Sequence, residues 1–430
     1  ADNQYEIGIH IADVSFFVRP GNMIDDEAYK RGTSVYLVDR TIPMLPEVLS
    51  NDLCSLNPHE DKLAMSAIFE MNDNGEVMSE WYGETIISSD RRFSYEEAWA
   101  VMSTGKGDFV QELQKANEIS KVLRTQRFKN GALMIDQEEV KFKLDEKGVP
   151  IDIFIKIHTD ANHMIEEYML LANREVARFI FDAIKKSGPR DTGAIYRIHD
   201  VPDKDKIKNL ATFVKALGYD LHTSKDGEVT AKGINALLEQ VEGTPHESLV
   251  RTATIRSMQK AIYSTKNIGH FGLAFEFYTH FTSPIRRYPD LLVHRVLAKH
   301  LNNEPFGDRD IIKFQTIAES TTAREIDAAD AERTSKKLKQ VEYMSTRIGQ
   351  TFKGVISGIT KWGIYVEDTE SKSEGMIPIR ALGTDYYVFD EKTYSIVGER
   401  TGQKFTLGNE VTFKVMAADL DKKTLDYVLV

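Results

Sequence analysis

The residues whose types and spacing best suit binding or catalysis lie in one short run, His280–Asp290. Two adjacent arginines, Arg286 and Arg287, follow the hydroxyl side chains of Thr282 and Ser283 and precede a Pro-Asp pair typical of a helix start. Arginine donates paired hydrogen bonds to phosphate oxygens, and the first amides of a helix favour an anion. The run therefore indicates contacts to a phosphate-bearing substrate. The alternative is a surface turn with an ordinary Arg–Asp salt bridge, and the residue types alone leave the two interpretations about equal.

Several other short motifs occur along the chain. They are Gly8–Ser15, Arg31–Tyr36, Ile42–Glu47, Leu49–Leu56, Ile165–Glu167, Tyr196–Asp200 and Tyr278–Asp290, the last reading YTHFTSPIRRYPD. In order and spacing they closely resemble the ribonuclease II/ribonuclease R family of exoribonucleases. The resemblance extends from Tyr5 to the C-terminus, and so many independent motifs in order make chance agreement implausible.

The resemblance implies an enzyme that hydrolyses single-stranded RNA processively from the 3′ end and releases nucleoside 5′-monophosphates. Arg286 corresponds to the family's catalytic arginine, which stabilises the transition-state phosphate. Tyr36 corresponds to the tyrosine that packs against the terminal nucleotide and sets the final product length. Glu166 corresponds to a contact with the last ribose, and Glu332 to a second such contact. We therefore expect Tyr36, Glu166 and Arg286 in the catalytic site, and RNA contacts from Glu332 and from the hydroxyl and arginine residues of the His280–Asp290 run.

Each of these residues also has an ordinary structural interpretation. A tyrosine on a strand, such as Tyr36, is more often a core or half-buried aromatic residue. Glu166 beside Glu167 at a helix start would interact favourably with the helix dipole. Glu332 in a polar helix would be solvated or paired with a nearby lysine. Only the joint pattern favours the functional interpretation.

The sequence departs from the family pattern in two places. Where the family has a second base-stacking aromatic residue, this chain has Ile135, which loses part of a stacking contribution of roughly 1–3 kcal/mol per base. The family's metal-binding string, an aspartate followed by Asp-x-Asp-Asp, does not occur in the chain. The resemblance implies Mg²⁺ bound by clustered aspartates, and we expect those aspartates upstream of Ala1, with no metal ligand in this chain. If they are absent altogether, the alternative is a non-catalytic RNA-binding protein.

Composition is compatible with a soluble enzyme. The formal net charge of −11 argues mildly against a protein that coats nucleic acid, but a channel for one strand needs only local positive charge. The single cysteine, Cys54, excludes an intramolecular disulfide and suits a reducing cytoplasm. No run of apolar residues is long enough to span a membrane, so we expect no membrane association. We also expect a monomer whose partner is single-stranded RNA.

Apolar periodicity predicts a mixed α+β catalytic domain over residues 1–345 and an all-β domain over residues 346–430. In the first domain we predict strands at Tyr5–Ala12, Ser34–Leu37, Leu63–Met71, Val77–Ile87 and within Val140–Ile157. Helices are predicted around Ile165–Ala183 and over Asp205–Leu217, Lys232–Val241, Leu249–Ile262, Pro289–His300 and Asp308–Met344.

The C-terminal domain is predicted to be a five-stranded barrel of the OB-fold type. Its strands are expected at Phe352–Ile359, Gly363–Val366, Gly375–Ile379, Glu410–Ala417 and Thr424–Val428. Five aromatic residues are interleaved with basic ones, a composition that suits base stacking, and about half of them are expected in the barrel core: Phe352, Trp362, Tyr365, Phe389 and Phe413. The segment around Trp362 resembles the S1 RNA-binding domain, although Pro378 stands where that family often has histidine. Trp362 and Tyr365 are accordingly candidate RNA contacts.

Overall fold

The computed structural model describes residues 4–135, 139–186, 193–224, 226–304, 308–390 and 395–430. Strands and short helices alternate through its first part. They are β1 (Gln4–Ala12), α1 (Val14–Phe17), α2 (Met23–Arg31), β2 (Val35–Tyr36), β3 (Thr41–Ile42), a π-helical turn (Val48–Leu53), β4 (Asp61–Asn72), β5 (Val77–Ser88), α3 (Tyr95–Thr104), α4 (Val110–Lys129), β6 (Glu139–Leu144) and β7 (Pro150–Lys156).

Helices dominate the second part of the chain. They are α5 (Asp160–Lys186), α6 (Lys204–Ala216), α7 (Ala231–Val241), α8 (Glu247–Ser257), α9 (Tyr288–Leu301) and α10 (Asp308–Ser345), with β8 (Tyr196–Ile198), β9 (Ile262–Ser264) and a 3₁₀ turn (Phe271–Leu273) between them. No described helix is both long enough and apolar enough to cross a membrane.

The main core lies between a small sheet and two helices. Strands β1, β4 and β5 form an antiparallel sheet in that spatial order, with Ile9 opposite Ala67 and Ala67 opposite Tyr82. Alternate residues of β1 face inward because side chains alternate across a strand. The inward face packs against α5 and α9, and burial of a side chain such as Phe69 contributes roughly 1.5–3 kcal/mol. This core is the platform on which the candidate site is built.

Helices α6, α7 and α8 form a second, smaller cluster of their own. Their buried residues, such as Leu210, Ile234 and Val250, come from one stripe of each helix. Part of the segment that follows α4, including Ile135, packs against this cluster.

The C-terminal region is a closed five-stranded barrel, as the sequence predicts. Its strands are β10 (Thr351–Thr360), β11 (Gly363–Asp368), β12 (Glu374–Pro378), β16 (Glu410–Asp419) and β17 (Thr424–Leu429), in the closed order β10-β11-β12-β17-β16. Helix α10 leads into it and contributes Val341 and Met344 to the barrel's core. The Gln340 amide also donates to the carbonyls of Ser371 and Lys372, at 3.2 and 2.9 Å.

The mixed α+β fold followed by an OB-type barrel is therefore confirmed, and several details differ. The helix predicted over Leu249–Ile262 ends at Ser257, and Ile262 instead begins β9, which pairs with β8. The strand predicted at Ser34–Leu37 is reduced to Val35–Tyr36. Within the barrel domain a further small sheet was not predicted, formed by β13 (Tyr387–Asp390), β14 (Ser395–Gly398) and β15 (Lys404–Thr406).

Candidate active site

The arginine run forms a tight turn before α9, and it turns the Arg286 side chain outward. The carbonyl of Ser283 accepts hydrogen bonds from the backbone N–H groups of Arg286 (3.2 Å) and Arg287 (3.0 Å). The carbonyl of Arg286 accepts from the Ser34 N–H (2.9 Å) and from the Thr33 hydroxyl (3.1 Å). Its backbone is thus fixed to the segment that leads into β2. Across the described part of the chain, its exposed guanidinium makes no hydrogen bond or ion pair.

The neighbouring Arg287 points inward and forms the salt bridge that the ordinary interpretation proposes. Its Nε and Nη2 donate to the two carboxylate oxygens of Asp290 at 2.9 and 2.8 Å. Asp290 is fully buried and also accepts from the Ser283 N–H at 2.8 Å. Burial opposes the charge on Arg287, but Asp290 and the Tyr263 hydroxyl outweigh it, so the pKa of the guanidinium is raised. This pair therefore stabilises the turn that presents Arg286. RNA contacts from Arg287, Ser283 and the half-buried Thr282 stay predictions.

Tyr36 and Glu332, far apart in sequence, are brought together. The Tyr36 N–H donates to Glu332 Oε1 at 3.1 Å, and the Val38 N–H donates to Ser335 Oγ at 3.1 Å. The short hairpin of β2 and β3 is therefore held against α10 by two side chains one turn apart. The Tyr36 side chain is exposed, so its interpretation as a core aromatic residue is wrong.

Glu166 lies on α5 and is half-exposed. It faces Arg127 of α4, with Nη2–Oε1 at 3.4 Å, and Arg124, with Nη1–Oε2 at 3.9 Å. Its neighbour Glu167 is buried and takes most of the Arg127 hydrogen bonds. Because α5 begins at Asp160, Glu166 stands in the second turn, beyond the first turn in which a dipole contact is strong.

The two arginines of α4 were missed in the sequence. The only local signal was their spacing, since residues three apart on a helix, here Arg124 and Arg127, share one face. Their acidic partners lie some forty positions later in the chain, so no local pattern connects them.

Ile135, the residue in place of a second stacking aromatic, follows a segment fixed at two points. The Leu133 N–H donates to the Gly272 carbonyl at 2.9 Å, and the Met134 N–H donates to Asn235 Oδ1 at 3.0 Å. Ile135 itself is half-buried and packs against the α6–α8 cluster. Whether a base also contacts it stays a prediction.

The histidine of the run, His280, is held in place by a hydrogen bond within the protein. His280 is half-buried and shares a 2.7 Å hydrogen bond through Nδ1 with the Tyr263 hydroxyl. Burial, followed by the charges of Arg287 and Arg197, holds the pKa of His280 well below its usual value. The ring is therefore neutral and adds no positive charge to the site.

In the barrel, the five aromatic residues divide between core and surface. Phe413 is buried and stacks on Phe352 with ring centroids 5.9 Å apart. Trp362 is exposed in the turn between β10 and β11, with Lys361 Nζ 4.9 Å from its ring centroid, and Tyr365 is half-buried on β11. Phe352 and Phe389 are half-buried and pack against the same core, so three of the five aromatic residues contribute to it.

The described side chains do not assemble a magnesium site. Among the described residues, no three His, Cys, Asp or Glu side chains converge on a point where a metal ion could be held. These residues therefore do not fit the ions that the family resemblance implies, and no catalytic step is assigned to a metal.

The fold and site define a two-part protein: a mixed α/β body that presents an exposed arginine, followed by a closed five-stranded barrel. Residues 1–303 match the model of the RNB domain, and residues 345–427 match that of the S1 RNA binding domain. The chain therefore belongs to the RNB family and carries an S1 domain.

The relatives are ribonucleases R. The chain is 40% identical to Ribonuclease R of Thermotoga maritima, covering all of this chain and 61% of that protein, and 37% identical to Ribonuclease R 1 of Lactococcus lactis, covering 99% and 52%. The structure of Mycoplasma genitalium RNase R in complex with ribose methylated single-stranded RNA superposes with a TM-score of 0.90 at 30% identity, covering 99% of this chain and 67% of that one. The chain thus spans about half to two thirds of the length of the curated relatives.

Proposed function

We propose that this chain is the catalytic body of a processive 3′-to-5′ exoribonuclease that degrades single-stranded RNA to nucleoside 5′-monophosphates. The observation that carries the proposal is the contrast within the arginine pair. Arg287 is neutralised by buried Asp290, while the adjacent Arg286 is exposed and its guanidinium has no partner among the described residues, on a turn fixed at both its amide and its carbonyl. An exposed, pre-oriented guanidinium is what stabilisation of a transition-state phosphate requires.

The same proposal assigns roles to the other site residues. Tyr36 packs against the terminal nucleotide, Glu166 and Glu332 contact the last riboses, and Trp362 and Tyr365 of the barrel bind RNA further from the end. The exposure of Tyr36, Glu166 and Trp362 and the fixed backbone around Tyr36 support these roles. The division into a catalytic unit of residues 1–345 and a barrel of residues 346–430 belongs to this proposal, as does dependence on Mg²⁺.

The test is digestion of a 3′-labelled single-stranded RNA by the full-length protein. The first labelled product should be a nucleoside 5′-monophosphate, because cleavage starts at the 3′ end. Labelled oligonucleotides as first products would show internal cutting and contradict the proposal. RNA binding with no cleavage would favour the alternative of a non-catalytic RNA-binding protein.

A further inference from the structure

The hairpin of β6 and β7 presents a face whose composition differs from that of an ordinary solvated surface. Lys141 lies opposite Phe154, Lys143 opposite Asp152, and Glu139 opposite Lys156. Residues directly opposite in an antiparallel pair point to the same side. The other side carries the apolar residues Val140, Phe142, Ile153 and Ile155, which are half-buried or buried. The outward side therefore carries three lysines and two carboxylates, those of Glu139 and Asp152, and contains an exposed phenylalanine.

Helix α3 extends this surface with two further aromatic residues. Tyr95 and Trp99 are four residues apart, so they share one side of the helix. Both are exposed, at 43% and 47%, and Phe154 is exposed to a similar extent at 49%. Lys156 Nζ lies 5.8 Å from the Tyr95 ring centroid and connects the helix to the hairpin. We call this set the lysine–aromatic face: Tyr95, Trp99, Lys141, Lys143, Phe154 and Lys156.

With three lysines against Glu139 and Asp152, the outward side of the hairpin keeps a small positive excess although the whole chain is acidic. Glu139 is the carboxylate that its cations share: it pairs with Lys141 and Lys156, and with His158 whenever that imidazole is protonated. Burial opposes ionisation of Glu139, but Lys141, Lys156 and Lys336 of α10 outweigh it, so the pKa of this carboxyl is lowered. Lys143 makes no ion pair with any described residue. The face can therefore attract a polyanion.

The face also lies beside the candidate active site. Lys339 Nζ of α10 donates to the carbonyl of Gly148, in the turn of the hairpin, at 2.6 Å. Lys336, whose charge reaches Glu139, is four residues after Glu332 and thus about 6 Å further along the same helix. Residues at this spacing share one side of a helix. RNA that leaves the Glu332 contact would therefore reach the face within one helical turn.

We propose that the lysine–aromatic face binds the single-stranded RNA segment immediately 5′ of the nucleotides in the active site. Bases would stack on Tyr95, Trp99 and Phe154, and the lysines would neutralise phosphates, the combination used by proteins that hold single strands without sequence preference. The inference rests on the proposed function, since it takes RNA as the substrate. The competing explanation is that the lysines only keep the outer side of the hairpin soluble.

Tryptophan fluorescence can test the stacking directly, because the chain has three tryptophans. One variant keeps only Trp99 (Trp81→Phe and Trp362→Phe), and the control keeps only Trp81 (Trp99→Phe and Trp362→Phe). Trp81 is exposed to 49%, slightly more than Trp99, but lies on β5, outside the face. Both carry Arg286→Ala, so that an oligo(U) probe stays intact, which a gel verifies.

Titration with oligo(U) should quench Trp99 with the same midpoint as the RNA anisotropy, and should leave Trp81 unchanged. Phe154→Ala in the Trp99-only protein should weaken binding roughly tenfold, which is the loss expected for one stacked base. Equal quenching of both tryptophans, or none at RNA concentrations that saturate the anisotropy, would overturn the inference.

The lysines have their own measurement. Lys141→Ala with Lys143→Ala should reduce the slope of log affinity against log salt by about 1.4, at roughly 0.7 per phosphate contact on a single strand. The matched control is Lys30→Ala with Lys204→Ala, which removes the same charge from exposed lysines of α2 and α6. An equal change of slope in both pairs would mean a general charge effect and would refute RNA binding by the lysine–aromatic face.

If the full-length protein releases mononucleotides while Trp99 stays unquenched, the inference alone fails. If Trp99 is quenched but no RNA is cleaved, the proposed hydrolysis fails and the binding face stands.

Discussion

The backbone N–H of Tyr36 donates to the carboxylate of Glu332, 296 positions later in the chain, at 3.1 Å. A residue proposed to contact ribose thus also holds the hairpin that carries the proposed nucleotide-packing tyrosine. The two roles cannot be separated by deleting the side chain, because Glu332→Ala removes both.

Glutamine at position 332 separates them. Glu332→Gln keeps an oxygen acceptor for the Tyr36 N–H but loses the negative charge, whereas Glu332→Ala loses the bond and releases about 1 kcal/mol of hairpin stabilisation. We expect Glu332→Ala to give final RNA products of several lengths and Glu332→Gln to give a single length, as measured on sequencing gels. Ser335→Ala, which removes the parallel bond to Val38, should give several lengths in the same way. Identical product lengths in all three variants would show that α10 does not position Tyr36.

Arg286→Ala should affect turnover far more than affinity. The side chain has no partner in the part of the chain that the structure describes, so its removal should leave the melting temperature unchanged, and loss of one transition-state contact should lower kcat by roughly 100-fold or more. Single-turnover cleavage and RNA anisotropy measure the two effects separately. A parallel loss of affinity and rate would instead mean that Arg286 binds substrate and transition state equally.

Arg287→Ala should behave in the opposite way. It would leave the carboxylate of Asp290 buried without its partner, which costs about 3–5 kcal/mol of folding free energy. Urea unfolding should show this loss, and Arg287→Lys should recover only part of it because lysine lacks the paired donors. Full stability in Arg287→Ala would refute the bracing role of the pair.

These two arginines also show what sequence can and cannot predict. The run itself was sufficient to find the site, because its string is specific to one family. Residue type could not tell which arginine points outward, since that depends on Asp290 accepting both donors of Arg287 and on Thr33 and Ser34 fixing the carbonyl of Arg286. Arg287 forms the Arg–Asp salt bridge of the original alternative, and the phosphate contact by Arg286 stays a prediction.

Secondary structure was predictable where the apolar pattern is strong. The barrel strands alternate clearly and were placed within a few residues, and the apolar stripe of α5 was recognised. Helix α3 was missed although Ser94 and Glu97 form a capping box and Gly105 ends the helix in a left-handed conformation. Those signals were present in the sequence. The Arg127–Glu167 pair, in contrast, exists only because α4 packs against α5.

The buried Arg127–Glu167 pair allows the contribution of Arg127 to folding stability to be measured separately from its positioning of Glu166. Arg127→Met should destabilise the fold by about 3–5 kcal/mol, because Glu167 is left charged and buried. Adding Glu167→Leu should restore most of the stability, since an apolar pair can replace a buried ion pair. The double variant still lacks the Arg127 contact to Glu166, so it should lose preference for a 3′-terminal ribose over a 2′-deoxyribose. Restored stability with unchanged sugar preference would leave Arg127 with a purely structural role.

Stability should fall as the pH drops below about 6.5, because the half-buried His270 binds a proton more weakly in the folded state than in the unfolded chain. Burial, and then the nearby His199 and Arg197, lower the pKa of His270 from 6.5 to about 3. Between these values the unfolded chain binds a proton that the folded chain does not, so the free energy of unfolding decreases with falling pH, by about 1 kcal/mol for this group at roughly pH 5.5. Urea unfolding at that pH and near neutrality measures the loss. His270→Gln should show a smaller loss than the unmodified protein, and an equal loss in both would exclude His270 as a contributor.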